Sequence, residues 1–208
     1  MPVVILSIEP YATSKPFAAE LASALNLKLA DLRPFERKLA ERVACNGSGP
    51  LSSSTRHISK NSNWDMSTSD LSARVRELTL EIASEGDTLL VSWSAAATLH
   101  AAHDHMRLKR DVIIVGLHAS HSHRAKAVQR RLCYPHLGTA VLELDAEDSL
   151  IANFVTRVFD ADWRHAGHYD VLIDTGYIAG PALTKILEAI AFTPAATESA
   201  PAPISSRT

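Results

Sequence analysis

Five short apolar runs, most of them followed by a longer stretch of helical periodicity, constrain this 208-residue chain more tightly than any other feature. The first, Val3-Val4-Ile5-Leu6-Ser7-Ile8, crowds β-branched residues together and reads as a buried strand. Residues 27–30 form a short second run, 87–93 and 111–117 two further buried ones, and 170–174 the last. After the first run, Phe17, Leu21, Ala24 and Leu25 share one helical face, with Pro16 at the start, where its missing N–H is harmless. Residues 34–45 predict a charged amphipathic helix. Ser69 or Asp70 is expected to cap the next, which runs to about residue 83 with Leu71, Val75, Leu78 and Ile82 facing inward. Further helices are expected over 94–105, 120–132, 145–159 and 181–191, with 134–139 as a loop. Strands alternating with helices imply a mostly parallel sheet covered on both faces.

Two segments depart from this pattern. Residues 46–69 are dominated by Gly, Ser, Asn and Thr, interrupted only by Leu51, Ile58, Trp64 and Met66, and are expected to form a mobile excursion. Residues 193–208 are a Pro, Ala and Ser tail with almost nothing to bury, expected to be disordered. The domain therefore spans 1–192. Lys and Arg number 21 against 23 Asp and Glu, a balance of −2 that argues against a general nucleic-acid or membrane-surface binder. Cys45 and Cys133 make neither a Cys-x-x-Cys pair nor a disulfide framework, which fits a reducing compartment. With no basic leader and no run of about 18 apolar residues, the expectation is a soluble cytoplasmic protein.

In a parallel α/β sheet the site lies beyond the carboxyl ends of the strands. That places the turn 9–15 and the segments 92–95, 118–124 and 175–179 on one rim. The first turn, Glu9-Pro10-Tyr11-Ala12-Thr13-Ser14-Lys15-Pro16, offers two hydroxyls and a lysine at the distance a phosphate cradle needs. It carries no glycine, however, and each proline removes a donor, so an ordinary strand–helix turn remains open at this point.

Arg124, Lys126, Arg130 and Arg131 fall on one predicted helix, with Arg124 near the rim. Arg107-Leu108-Lys109-Arg110 reads as solvated charge before a strand, and Trp64 as a loop anchor or a cover for a base. Trp163 is expected in the core, and Asp170 or Asp174 in a capping role. Seven of the ten histidines lie between His100 and His136, and His100-x-x-His103-x-His105 repeats the spacing of His118-x-x-His121-x-His123. Such imidazoles could hold zinc or nickel. No carboxylate or cysteine recurs beside them at ligand spacing, so no residue is assigned to a metal.

The order of five pieces resembles the cytidylate kinase-like family of P-loop nucleoside-monophosphate kinases. Val4-Ile5-Leu6-Ser7, the eight-residue turn and the helix from Ala18 to Leu25 resemble the family's first strand, loop and helix. Leu29-Ala30-Asp31 and Leu89-Leu90-Val91-Ser92-Trp93 resemble its next two strands, and Val115-Gly116-Leu117-His118-Ala119 with Arg124 its fourth. Tyr169-Asp170-Val171-Leu172-Ile173-Asp174-Thr175, preceded by Asp162-Trp163, is similar to its terminal strand and is the most specific match.

The resemblance implies a three-layer P-loop sandwich with a five-stranded, mostly parallel sheet and residues 46–69 on the acceptor side. It implies ATP and Mg2+ as cofactors and CMP as an acceptor, with Lys15, Thr13 and Ser14 on the donor phosphates. Arg124 and Arg157 would then contact the transferring group. Three departures imply a degenerate active site: a glycine-free turn, Ser92-Trp93 where the family has Gly-Arg, and a stretch that is arginine-rich in kinases but here keeps only Arg157, with Arg130 and Arg131 just upstream as candidates to join it. A non-catalytic nucleotide sensor or protein-interaction module is the alternative, a histidine-rich metal binder a weaker one. The oligomeric state is left open.

Overall fold

The computed structural model describes residues 2–46, 67–102, 112–178 and 180–192. Residues 47–66 of the polar excursion, the Arg107–Arg110 cluster, His103, His105 and the tail from 193 lie outside them.

Five strands form one parallel sheet in the order β2-β3-β1-β4-β5. They are β1 (Val3–Ile8), β2 (Lys28–Asp31), β3 (Thr88–Val91), β4 (Val112–His118) and β5 (Val171–Asp174). β1 lies at the centre, with Leu6 in register with Val91 on one side and Val115 on the other. All six of its residues are buried, as expected of a strand covered on both faces.

The period of two divides those residues between two cores. Val4, Leu6 and Ile8 pack against Phe17 and Leu21 of α1 (Phe17–Ala24) and Leu183 and Leu187 of α7 (Gly180–Ala191). Val3 and Ile5 face Ala83 of α3 (Thr68–Ser84) and Ala95, Ala96 and Leu99 of α4 (Ala95–Ala102). On that same face Gly116 of β4 leaves room for the Tyr169 ring; a Cβ there would lie 3.1 Å from the ring and 2.6 Å from Leu172 Cδ1.

A second layer stands over the strand ends, built from α2 (Arg33–Asn46), α5 (His121–Leu132) and α6 (Leu137–Phe159). Leu39 and Ala40 of α2 pack with Trp93 and with Ile151, Phe154 and Val155 of α6. With α1 and α7 on one face of the sheet and α3 and α4 on the other, the three-layer α/β reading holds.

Two boundaries are corrected. α6 begins at Leu137, not at 145, and absorbs Gly138 and Thr139 of the expected loop. Ala140 and Leu144 pack against Ala125 and Val128 of α5, and that burial outweighs the poor helix propensity of glycine and threonine. The cap of α3 is Ser67, whose Oγ accepts from Asp70 N at 3.2 Å. Asp70 occupies the third helical position, and its Oδ2 accepts from the Ser67 hydroxyl at 2.8 Å.

Candidate functional site: a turn between two clefts

The first turn does without glycine by a local compromise. Ala12 N donates to Glu9 O at 3.0 Å, closing a β-turn with Pro10 and Tyr11 at its centre. Proline suits the first central position, and the second needs a positive φ, usually supplied by glycine. Here Tyr11 adopts φ 64°, at a cost of about 1–2 kcal/mol. Its ring is held from both sides, packing on the α5–α6 core with the Arg131 guanidinium carbon 5.0 Å from its centroid. Burial and the Glu147 and Glu143 carboxylates push its phenol up, so it remains a neutral hydroxyl.

Beyond the turn the chain enters α1. Among the described residues, the amides of Thr13, Ser14 and Lys15 have no hydrogen-bond partner, and they sit at the positive end of the helix. The carbonyls point elsewhere. The Thr175 hydroxyl lies 2.7 Å from Ala12 O and 2.9 Å from His118 O, and Arg131 Nη2 donates to Thr13 O at 3.1 Å.

Two clefts flank this turn. The larger, about 480 Å³, runs between Phe17, Ile178 and Leu183 on its apolar side and His123, Arg130 and Arg131 on its basic side. The smaller, about 230 Å³, is lined by Lys15, Arg33, Arg37, Trp93, Glu9 and Glu147, among others. Tyr11, Thr13, Ser14 and Arg131 line both. A group bound at the turn would thus lie between two compartments.

Thr13, Ser14 and Lys15 are together here, whereas Arg124 is sequestered. Its side chain is 4% exposed and forks onto Asp148, with Nη1–Oδ1 at 2.8 Å and Nη2–Oδ2 at 2.9 Å. Its Nε lies 3.1 Å from Glu9 Oε2 and donates to Ala119 O at 3.2 Å. Arg164 completes the square, bonding Glu9 Oε1 and Asp148 Oδ2 at 2.7 Å each. Burial alone would push the Asp148 carboxyl up, but the hydrogen bonds from Arg124 and Arg164 hold it below the usual carboxylate range. This square pins the ends of β1 and β4 to α5, α6 and the segment before β5.

Arg157 lies apart, donating to Val43 O of α2 at 3.3 Å. It is about 13 Å further along the α6 axis than Asp148. Arg37 is bidentate to Glu147 at 2.8 and 2.5 Å, and that pairing raises its pKa; Arg33 is bonded to Asp31 at 2.6 Å. The cleft cations with no carboxylate partner among the described residues are Lys15, Arg130 and Arg131.

Arg131 is exposed and lines both clefts. It follows Arg124 by seven positions, two helical turns, and that spacing puts both on one face of α5. The square of charges had no comparable signal, because its members are far apart in the chain.

Asp170 Oδ2 accepts Ile114 N, and Asp174 Oδ1 accepts Gly176 N, both at 2.8 Å, so both aspartates serve the backbone. Trp163 is buried in the core, as expected. His121 pairs with Asp145 at 2.8 Å and His123 lines the larger cleft. No group of three His, Cys, Asp or Glu among the described residues could hold a metal ion. No helix among them is long and apolar enough to cross a membrane.

A five-stranded parallel sheet with β1 central, a helix N-terminus turned to a cleft after it, and compartments on either side define the architecture of a P-loop kinase. The model of the cytidylate kinase-like family matches residues 3–177, and this chain belongs to that family.

Among solved structures it is similar to an uncharacterized protein from Eubacterium ventriosum ATCC 27560, with a TM-score of 0.62 and 14% identity over 91% of this chain and 97% of that one. It is also similar to the shikimate kinase of Bacteroides thetaiotaomicron, with a TM-score of 0.52 and 11% identity over 91% and 97%. The YorR protein of Bacillus subtilis, in complex with phosphorylated GDP, gives a TM-score of 0.52 and 14% identity over 90% and 94%. At such identities the likeness is one of fold. No curated protein matches this chain.

Proposed function

We propose that this protein binds MgATP at the first turn and that its capacity for phosphoryl transfer, to CMP or another nucleoside monophosphate, is weak or lost. The observation that carries the binding half is the run of three unpartnered amides, Thr13 to Lys15, at the N-terminus of α1. Unpartnered amides just ahead of a helix start suit phosphate oxygens, and the Lys15 ammonium and Arg131 guanidinium add positive charge. The Thr13 and Ser14 hydroxyls, which line both clefts, would hold the Mg2+. When bound, that ion would supply neutralisation of phosphate charge. The apolar side of the larger cleft would take the base.

The transfer half is weak because the two arginines expected on the migrating group, Arg124 and Arg157, are engaged elsewhere. Transfer depends on positioning and on cations around the migrating group. Arg124 would reach that group only by leaving both Asp148 and Glu9. Arg157 would have to span the roughly 13 Å of α6 that separates it from Asp148. A nucleotide sensor is therefore the natural second reading, favoured by the pairing of Arg124 with Glu9 and Asp148.

Calorimetric titration of MgATP into the protein at pH 7.5 tests the binding. The expected dissociation constant is below about 100 μM, equivalent to about −5.5 kcal/mol. Lys15→Ala and Arg131→Ala are each expected to weaken it by about tenfold, the effect of losing one charge-assisted contact of about 1.4 kcal/mol. No heat up to millimolar MgATP, or unchanged affinity in both variants, removes the turn from the argument. ADP release with CMP then separates a transferase from a sensor.

A further inference from the structure

The turn between β3 and α4 already holds an anion, and the anion belongs to the chain. Glu36, in the first turn of α2, is fully buried. Its carboxylate accepts from Ser92 Oγ at 2.7 Å, Trp93 N at 2.8 Å, Ser94 N at 3.0 Å and Ser94 Oγ at 2.5 Å. The neighbouring amides are satisfied as well: Ser92 N donates to Leu6 O at 3.1 Å and Ala95 N to Ser92 Oγ at 2.9 Å. Two consecutive amides and two hydroxyls converging at a helix N-terminus form a donor set suited to a phosphate. Here a carboxylate occupies it, and none of the described cations is bonded to that carboxylate.

The surroundings connect this turn with the smaller cleft. Trp93 lines that cleft, as do Arg33 and Arg37, the α2 residues on either side of Glu36. Both arginines are bonded to carboxylates, Asp31 and Glu147. An incoming phosphate would find the turn's donors spent and would have to sit against a buried negative charge.

We propose that Glu36 is an internal substitute for a phosphate group. Its carboxylate fills the anion subsite at the β3–α4 turn, so the native protein seats no phosphate monoester there, and removing that carboxylate opens a phosphate-binding site. The proposal rests on reading the smaller cleft as the acceptor side.

The test is run on the full chain with two probes. CMP, AMP, GMP and UMP are titrated into wild-type protein saturated with a non-hydrolysable MgATP analogue, and inorganic phosphate is added to wild type and Glu36→Ala in thermal unfolding, against chloride at equal ionic strength. The expected results are no monophosphate binding up to millimolar concentration and a phosphate-specific rise of about 3 °C in the midpoint of Glu36→Ala alone. Any monophosphate that binds wild type below about 100 μM overturns the proposal, as does a folded Glu36→Ala that ignores phosphate. If Glu36→Ala does not fold, the wild-type titration decides by itself. If wild type binds no MgATP, the function proposed above fails, and the phosphate response of Glu36→Ala still decides this inference.

Discussion

Replacing Asp148 with alanine is expected to destabilise the fold by about 3–5 kcal/mol, the range for breaking a buried ion pair by removing one partner. The Asp148 carboxylate is 12% exposed and is shared by two guanidinium groups. Without it, Arg124, itself 4% exposed, keeps Glu9 as its one carboxylate among the described residues, and Arg164 also claims Glu9. Two buried or half-buried cations then compete for one carboxylate. Asp148→Asn keeps the shape and one acceptor oxygen and is expected to cost about half as much. Arg164→Ala, which removes a cation already 41% exposed, is expected to cost only about 1 kcal/mol. Chemical denaturation of the three variants checks the order.

The same carboxylate sets an acid limit. Its folded-state pKa is depressed, so its contribution is fully present above the ordinary carboxylate value and is lost as pH falls through the lower, folded one. Below about pH 4, wild-type stability is expected to fall more steeply than that of Asp148→Asn. Parallel curves for the two proteins would mean that the square adds nothing to acid stability.

Glu36→Ala is the second large effect, at about 3–5 kcal/mol. It removes the common acceptor of four hydrogen bonds and leaves the amides of Trp93 and Ser94 buried with no acceptor. Each such orphan costs about 1–3 kcal/mol, whereas an ordinary lost hydrogen bond costs about 1. Glu36→Gln retains one oxygen for an amide but turns an NH2 group toward the remaining donors, so an intermediate loss is expected. Unfolding in denaturant, without added phosphate or sulfate, measures both. A change below about 1 kcal/mol in Glu36→Ala would show that water serves the turn as well as the carboxylate does.

The sheet was legible because burial on both faces writes itself into composition. A strand such as β1 has no polar side to show and appears as an unbroken β-branched run. The helices were legible where their apolar residues kept a single stripe, as in α1 and α7, and were misjudged where tertiary burial overrode local preference, as at Gly138 and Thr139. The conformation of the first turn was not legible for a related reason. A turn of this shape ordinarily takes glycine for its positive φ, and here Tyr11 adopts that φ with its ring packed on the α5–α6 core beside Arg131.

By itself, then, the sequence determined the layers, the parallel sheet, the family and the rim where chemistry would sit, since these follow from periodicity and from the order of segments. Only the tertiary structure decided which charges at that rim are available. Arg124 looks like a phosphate ligand until Glu9 and Asp148, 115 positions before it and 24 after, close on its guanidinium; Trp93 looks like a lost arginine until Glu36 is found beneath it. A cation is worth little to a ligand once a carboxylate has taken it. Pairing between residues so distant in the chain leaves no periodic trace from which it could be read.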